Sequence, residues 1–411
     1  MTGNYNIIEG GVTAAKGFKA ASCEAGIKYE NRLDMAMVVC DKPCVSAGTF
    51  TTNVVKAACV QWDKKLVDED NDLQAIVINT GIANACTGKE GFDICRTEAE
   101  TVKEVLDIPE NSVAVGSTGV IGMQLPVDRI TAGIKKMSTL LSSEKSAGTS
   151  ASKAIMTTDT VNKETAVTFT VGGKEVTLGG MSKGSGMIHP NMCTMIGILT
   201  TDLCIERSLL KEALRTVIKD TFNMITVDGD TSTNDTVLLL ASGLAGNAII
   251  DKKGPDYDTF VEALFHVCRT LARKMAADGE GASKLFTASV KNARSKDDAR
   301  TLARAIVGSN LSKAAVFGCD ANFGRFLCAM GYSGVDFDQN DVQMAFVSGE
   351  DKLPVFDKGE PVPFDEDMAK EILSRPEVIV SVNMNEGDAE ADAWGCDLTY
   401  DYVKINADYR S

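Results

Sequence analysis

Apolar and polar positions follow two periods along this chain, and the change from one to the other marks out its elements. Residues 33–39 and 45–51 read as two strands, 57–61 as a third, and 73–79 as a fourth that runs into the turn Asn79-Thr80-Gly81. Residues 97–106 and 128–141 have helical spacing, and in the second Ile130, Ile134, Met137 and Leu141 share a face. Between them, residues 112–122 read as a short strand entering a small-residue turn. Residues 165–171 and 175–178 flank Gly172-Gly173, a hairpin signal. A helix is expected over 206–225, with Leu210, Leu214, Val217, Ile218 and Ile225 in one stripe. A second long helix, 257–277, aligns Phe260, Leu264, Cys268, Leu271 and Met275, and a third covers 299–307. Residues 237–240, 377–383 and 397–405 read as strands. Strands and helices are mixed rather than strictly alternating, which predicts an α/β protein with helices packed on the outer faces of sheets.

Near the middle lies the stretch around which the rest is organised, MSKGSGMIHPNMCTMIGILTTD over 181–202. It opens in the glycine- and serine-rich turn Lys183-Gly184-Ser185-Gly186 and passes through His189-Pro190-Asn191. It then enters the apolar run 193–199. A loop feeding a buried strand places one polar side chain at the edge of a core, and here that side chain is Thr194.

Composition narrows the partners. At 411 residues the chain is long enough for two domains. Its formal charge of −15 argues against nucleic acid or an anionic membrane and leaves small molecules. No apolar run approaches the roughly 20 residues of a membrane helix. The first residues lack the basic-then-apolar layout of a signal peptide, so a cytoplasmic protein is expected. The 12 cysteines show no CxxC pairing and are expected to be free, mostly buried thiols. With only two histidines, His189 and His266, a histidine-rich metal site is not expected.

The scarcity of histidine also limits the chemistry, because serine and cysteine nucleophiles usually need a histidine base. Gly180-Met181-Ser182-Lys183-Gly184 fits the G-x-S-x-G elbow, but that motif requires a helix directly after the serine. Gly184, Gly186 and Pro190 disfavour one. Gly184-Ser185-Gly186 does not continue into GxGxxG, and no Walker A pattern occurs, so a nucleotide-cradling loop is unsupported. A threonine dispenses with histidine when it heads its own chain. Its α-amine, with an unperturbed pKa of roughly 7.7–8, then serves as base. An internal threonine must first be exposed by self-cleavage, in which its hydroxyl attacks the preceding carbonyl and the resulting ester hydrolyses.

The central stretch resembles the ornithine acetyltransferase family of arginine biosynthesis (ArgJ, glutamate N-acetyltransferase), and the resemblance runs the length of the chain. Lys183-Gly184-Ser185-Gly186-Met187-Ile188, Pro190-Asn191-Met192, Thr194-Met195 and Thr200-Thr201-Asp202 are similar to the family's self-cleavage signature. The family usually carries alanine before the nucleophilic threonine, and here that residue is Cys193, also small. Gly48 to Asn53 and Asn79 to Ala85 look like its N-terminal segments, and Ser117-Thr118-Gly119-Val120-Ile121-Gly122 looks like its oxyanion-hole loop. Met156-Thr157-Thr158-Asp159-Thr160, Asp278-Gly279-Glu280-Gly281-Ala282 and the tail from Lys404 to Ser411 resemble its substrate-side segments. The block Val227 to Asp235 also matches, and reads as structural support for the site. Gly318 to Arg325 departs from a pattern that commonly has proline and tryptophan where this chain has Ala321 and Phe323, a change expected to alter local packing only.

The resemblance implies a DmpA/ArgJ-like α/β fold of the N-terminal-nucleophile type, self-cleaved between Cys193 and Thr194 into an alpha fragment, 1–193, and a beta fragment, 194–411. It implies Thr194 as nucleophile, Thr118 and Gly119 as the oxyanion hole, and Thr157, Lys183, Thr194, Glu280, Asn406 and Ser411 as substrate contacts. The implied reaction moves acetyl from N2-acetyl-L-ornithine to L-glutamate without metal or bound organic cofactor, with acetyl-CoA as a possible co-substrate. The implied assembly is a heterotetramer of two alpha and two beta fragments. Two other readings stay open: a self-cleaving aminopeptidase or amidohydrolase of the same fold, and a non-enzymatic small-molecule binder.

Overall fold

The structure is a computed structural model, and it describes residues 4–189 and 195–407. The chain divides into two compact units. The first comprises Met1–Gly184, Asn191–Lys219 and Thr231–Leu271; the second comprises Ser185–Pro190, Asp220–Asp230 and Ala272–Ser411. Both units draw residues from each side of the Cys193–Thr194 bond.

The strands are β1 (Tyr5–Ile8), β2 (Phe18–Cys23), β3 (Met35–Phe50), β4 (Leu73–Asn79), β5 (Val113–Ser117), β6 (Lys163–Val171), β7 (Lys174–Lys183), β8 (Ile196–Thr201), β9 (Ile225–Thr226), β10 (Thr236–Ala241), β11 (Leu285–Ala293), β12 (Gln343–Ser348), β13 (Asp351–Asp357), β14 (Glu360–Pro361), β15 (Glu377–Asn383) and β16 (Ala389–Cys396). The α-helices are α1 (Ala58–Asp68), α2 (Gly88–Leu106), α3 (Val127–Ser138), α4 (Lys145–Ala154), α5 (Arg207–Lys219), α6 (Pro255–Ala277), α7 (Lys296–Gly308), α8 (Asn310–Phe317), α9 (Phe323–Gly331), α10 (Glu366–Leu373) and α11 (Tyr400–Ala407).

The first unit is built on a nine-stranded mixed sheet of order β1-β6-β7-β8-β10-β3-β4-β5, with β2 paired to β3. Every residue of β8 and β10 is buried, as strands in the middle of a covered sheet must be. β8 runs antiparallel to β7, with Lys183 opposite Ile196, and parallel to β10, with Thr236 opposite Ile196. The strand that enters the central stretch and the strand that leaves it are therefore neighbours. α3 buries Ile130, Ile134 and Met137, and α5 buries Leu210, Leu214, Val217 and Ile218, the stripes that helical spacing marks. The second unit is built on a seven-stranded sheet of order β14-β13-β12-β15-β11-β16-β9, against which α7 packs along β11 and β16.

The expected α/β class, with mixed sheets and helices, is what forms. Four local expectations change. Residues 57–61 begin a helix, not a strand: the apolar run continues through Trp62, Leu66 and Val67, which are buried on one face of α1. Residues 33–39 and 45–51 belong to one 16-residue strand, β3, whose register shifts between Val39 and Cys44. Within the strand expected over 397–405, residues 400–405 belong to α11 instead. The alternating apolar and polar side chains there mimic a strand, but α11 buries none of its residues and so carries no apolar stripe to read. The helix expected over 206–225 ends at Lys219, and Phe222–Met224 forms a single 3₁₀ turn before β9.

Candidate active site

Ser182 and Lys183 are the last two residues of β7, with no helix after them, so the G-x-S-x-G elbow is not formed. Lys183 is buried, and its Nζ donates to Thr118 Oγ1 at 3.4 Å. Because the lysine is the donor, the hydrogen of the Thr118 hydroxyl is left to point elsewhere, as an oxyanion donor requires. Thr118 follows β5, which runs parallel to β4 with Ser117 opposite Asn79. The turn is pinned by Thr118 N–H to the Asn79 carbonyl and Val120 N–H to the Gly81 carbonyl, each 3.1 Å. Gly119 has φ +133°, and a Cβ there would lie 2.3 Å from the Gly81 carbonyl carbon. Only glycine lets these two backbones approach.

Thr157 joins this group through Asp159. Asp159 Oδ2 accepts the Thr157 N–H at 3.0 Å, while Oδ1 accepts Gly184 N–H at 2.8 Å and Lys163 Nζ at 2.6 Å. Arg32 holds the other side of the threonine segment, donating to the carbonyls of Met156 at 2.6 Å and Thr157 at 2.9 Å. Burial alone would raise the Asp159 carboxyl. The charges of Lys183 and Lys163, with the bonds from Lys163 and Gly184, outweigh it and bring the carboxyl to about 2. A fully buried ion pair thus braces both Thr157 and the backbone directly after Lys183.

A second acid acts on the far side of the stretch. Asp235 precedes β10, and its carboxylate accepts the N–H of Met195. Burial pushes it well above the usual carboxylate range, against the opposing influence of Ser232, Lys183, Thr51 and Met195, and its Oδ2 is buried without a hydrogen-bond partner. Its neighbour Asn234 donates to the Ser117 carbonyl at 2.8 Å. The block expected to be structural support therefore holds the backbone just before Thr118.

In the second unit Glu280 is buried and accepts from Asn406 Nδ2 at 2.7 Å. Glu280 N–H donates to the Ser185 carbonyl at 2.9 Å, and a Cβ at Gly186 would lie 2.3 Å from the Glu280 carboxyl. The glycine after Ser185 is what gives the acid its place. Asp228 caps the N–H groups of Met187 and Ile188 at 2.6 and 2.9 Å. His189 Nδ1 meets Thr226 Oγ1 at 3.0 Å, and Arg304 reaches its Nε2 at 3.1 Å. Burial and the Arg304 charge hold His189 below its usual value, so it stands as a neutral member of the loop. His266 pairs with the Tyr5 hydroxyl at 2.8 Å within the first unit.

Of the expected site residues, Thr118, Gly119, Thr157 and Lys183 gather in the first unit, and Glu280 and Asn406 meet in the second. Cys193, Thr194 and Ser411 lie outside the described residues. Asp159, Lys163 and Asp235 were not picked out from sequence. Their signal is contextual: an aspartate four residues before a lysine is ordinary until both are buried. Among the described residues no group of three or more His, Cys, Asp and Glu side chains could hold a metal ion, and no helix is long and apolar enough to cross a membrane.

These features define an α/β protein in which a lysine, a hydroxyl and a glycine turn converge at the ends of strands bordering one central connection. The particular family follows from comparison. The ArgJ family profile matches residues 19–411, and the chain belongs to that family. It is 50% identical over 406 residues to the arginine biosynthesis bifunctional protein ArgJ of Symbiobacterium thermophilum, covering 98% of this chain and 99% of that one. It is 48% identical over 400 residues to ArgJ 1 of Clostridium acetobutylicum, with 97% of each chain covered. With ArgJ of Bacillus subtilis it shares 44% over 404 residues, covering 98% of this chain and 97% of that one.

Proposed function

We propose that this ArgJ-family chain is an acetyltransferase of arginine biosynthesis that moves the acetyl group of N2-acetyl-L-ornithine to L-glutamate through an ester on Thr194. The observation that carries this reading is the Lys183–Thr118–Gly119 arrangement at the end of β7, whose partner strand β8 begins two residues after Thr194. The protein is made as a precursor and cuts itself between Cys193 and Thr194, giving fragments 1–193 and 194–411. β7 and β8 lie on opposite sides of that bond, so their backbone hydrogen bonds keep the fragments together afterwards. Two copies of each fragment form the working heterotetramer, in the cytoplasm.

In the mature enzyme Thr194 Oγ attacks the acetyl carbonyl and its α-amine takes the hydroxyl proton. The Thr118 hydroxyl and the Gly119 N–H stabilise the oxyanion. The tetrahedral intermediate collapses, the bond to the ornithine nitrogen breaks, and the α-amine returns the proton to that nitrogen. The amine of glutamate then attacks the acetyl ester and regenerates Thr194. Lys183 takes the substrate α-carboxylate, with the Thr157 hydroxyl beside it. Glu280, steadied by Asn406, receives the side-chain ammonium of ornithine, and Ser411 adds a hydroxyl. No step calls for a metal or bound cofactor. The relatives' name "bifunctional" extends the proposal to a second activity, glutamate acetylation from acetyl-CoA.

Mass spectrometry of the expressed protein tests the first step. Two fragments, the second beginning with Thr194, are expected, and Thr194→Ala should stay in one inert piece. An intact, active single chain would refute self-cleavage. Acetyl-ornithine incubated with glutamate should yield acetylglutamate; release of acetate alone would favour the hydrolase reading.

A further inference from the structure

Lys284 stands directly before β11 and is buried. Its Nζ donates to the carbonyls of Val316 at 2.7 Å and Phe317 at 3.4 Å, the last two residues of α8. A lysine that closes a helix C-terminus in this way is common. The third contact is not: Nζ also lies 3.0 Å from the sulfur of Cys319, two residues beyond the helix. An ammonium has three donors, and all three are accounted for, so the nitrogen is held against the sulfur. Cys319 adopts φ +52°, the left-handed region that a non-glycine residue enters at a cost of about 1 kcal/mol. It is half-buried, and Phe317, Gly318 and Asp320 around it are exposed, so a small oxidant can reach the sulfur.

The same unit contains a second pair that sets the terms of comparison. Lys313 Nζ lies 3.7 Å from Cys396 Sγ, both residues are buried, and the lysine donates to the Cys396 carbonyl. Burial pushes the Cys396 thiol up. Lysine lies beside cysteine in both pairs, but of the two only Cys319 combines close approach with access.

We propose that Lys284 and Cys319 form an oxidative modification site, in which one oxygen atom bridges Lys284 Nζ to Cys319 Sγ. Peroxide is the oxidant. One equivalent converts the thiol to its sulfenic acid with loss of water. A second removes the remaining two hydrogens as the N–O bond forms. In sum the ammonium first gives one proton to solvent, then one S–H and one N–H bond break, one S–O and one O–N bond form, two peroxides are consumed and three waters leave. Two equivalents of a dithiol reverse it, returning thiol, amine and water. The observed separation suits a one-oxygen bridge, whereas a direct sulfur–nitrogen bond would need the two atoms to close much further. The link would fasten the segment that follows Glu280 to the end of α8, which packs against the helix bearing Asn406. Ser283 and Lys284 follow Glu280 and are held through their N–H groups by Asp397 at 2.8 and 3.0 Å. The Phe317 ring meets Tyr400, the first residue of the helix bearing Asn406, at 5.7 Å. The chemistry stands whether or not the acetyl-transfer reading does.

The test is peptide mass spectrometry of the full protein, purified reduced and then exposed to peroxide. One cross-linked species should join the Lys284 and Cys319 peptides, heavier than their sum by one oxygen and lighter by two hydrogens. Dithiothreitol should release it. It should be absent from Cys319→Ser and Lys284→Arg, and undiminished in Cys328→Ser, which removes another exposed thiol. Circular dichroism confirming that both site variants fold keeps the comparison valid. Recovery of Cys319 as a sulfinate or a disulfide with Lys284 unmodified would overturn the proposal. So would a link lacking the oxygen.

Discussion

Two groups of buried carboxyls in the first unit show opposite solutions to the same problem. Asp159 is surrounded by two lysines and two backbone N–H groups, and its carboxyl sits at about 2. Glu98, on α2, is as deeply buried, but neither of its oxygens has a hydrogen-bond partner. Burial first, and the nearby Asp63 on α1 second, raise Glu98 to about 8. Asp63 itself accepts one N–H, from Val115 at 2.8 Å, and burial still drives it well above its ordinary range. Depth alone does not decide whether an interior acid is charged; the donors aimed at it do. The charged acid lies beside Lys183 and Thr157 and holds them in place. The neutral pair lies between helices and carries a cost that the core tolerates.

The largest expected effect comes from Asp159→Ala. It leaves Lys163 buried with its main counter-charge removed, which should cost about 3–5 kcal/mol of stability by urea unfolding. It also frees Thr157 and Gly184, so acetyl transfer should fall about 100-fold or more in whatever protein remains folded. A variant within about 1 kcal/mol of wild type would mean that the lysines do not need this carboxylate.

Glu98→Gln comes next. The unfolded chain ionises near 4.5 while the folded acid stays protonated to about 8. Wild-type stability should therefore fall as pH rises through that window, by at most about 1.4 kcal/mol per pH unit, and level off above it. In Glu98→Gln that component of the slope should vanish. Unfolding midpoints that decline just as steeply in the variant would remove Glu98 as the source.

The smallest effect is the acid limb from Asp159. Its folded value, about 2, lies below the ordinary 3.8, so its stabilisation is present above about pH 4 and disappears as pH falls towards 2. The loss amounts to about 2 kcal/mol. Asp159→Asn should lack this limb; an unchanged acid profile would contradict the assignment.

Much of this was legible in the sequence where packing follows a single period. β15 forms over 377–383 as the apolar pattern predicts, and α3 buries Ile130, Ile134 and Met137. Reading failed at 57–61 because five residues cover too little of α1 to show the helical stripe that Trp62, Leu66 and Val67 complete, and at 397–405 because α11 is too exposed to carry one. The site residues were named through the family resemblance, since a Ser-Thr-Gly turn alone is commonplace; the fold adds why glycine stands at two positions, Gly119 by its approach to Gly81 and Gly186 by its approach to Glu280. Asp159 and Asp235 were hidden because their importance comes from what long-range pairing brings to them. Lys163 is opposite Ser182 in the sheet, and Asp235 meets Met195 only because β10 lies beside β8.

The central claim is that the acetyl group rests on Thr194 between donor and acceptor. Its most direct test is the intact mass of the protein incubated with N2-acetyl-L-ornithine in the absence of glutamate. The fragment that begins with Thr194 should gain one acetyl group and lose it when glutamate is added. Acetyl transfer from a chain that is never cut, or from one whose Thr194 fragment never carries the acetyl group during turnover, would contradict the account.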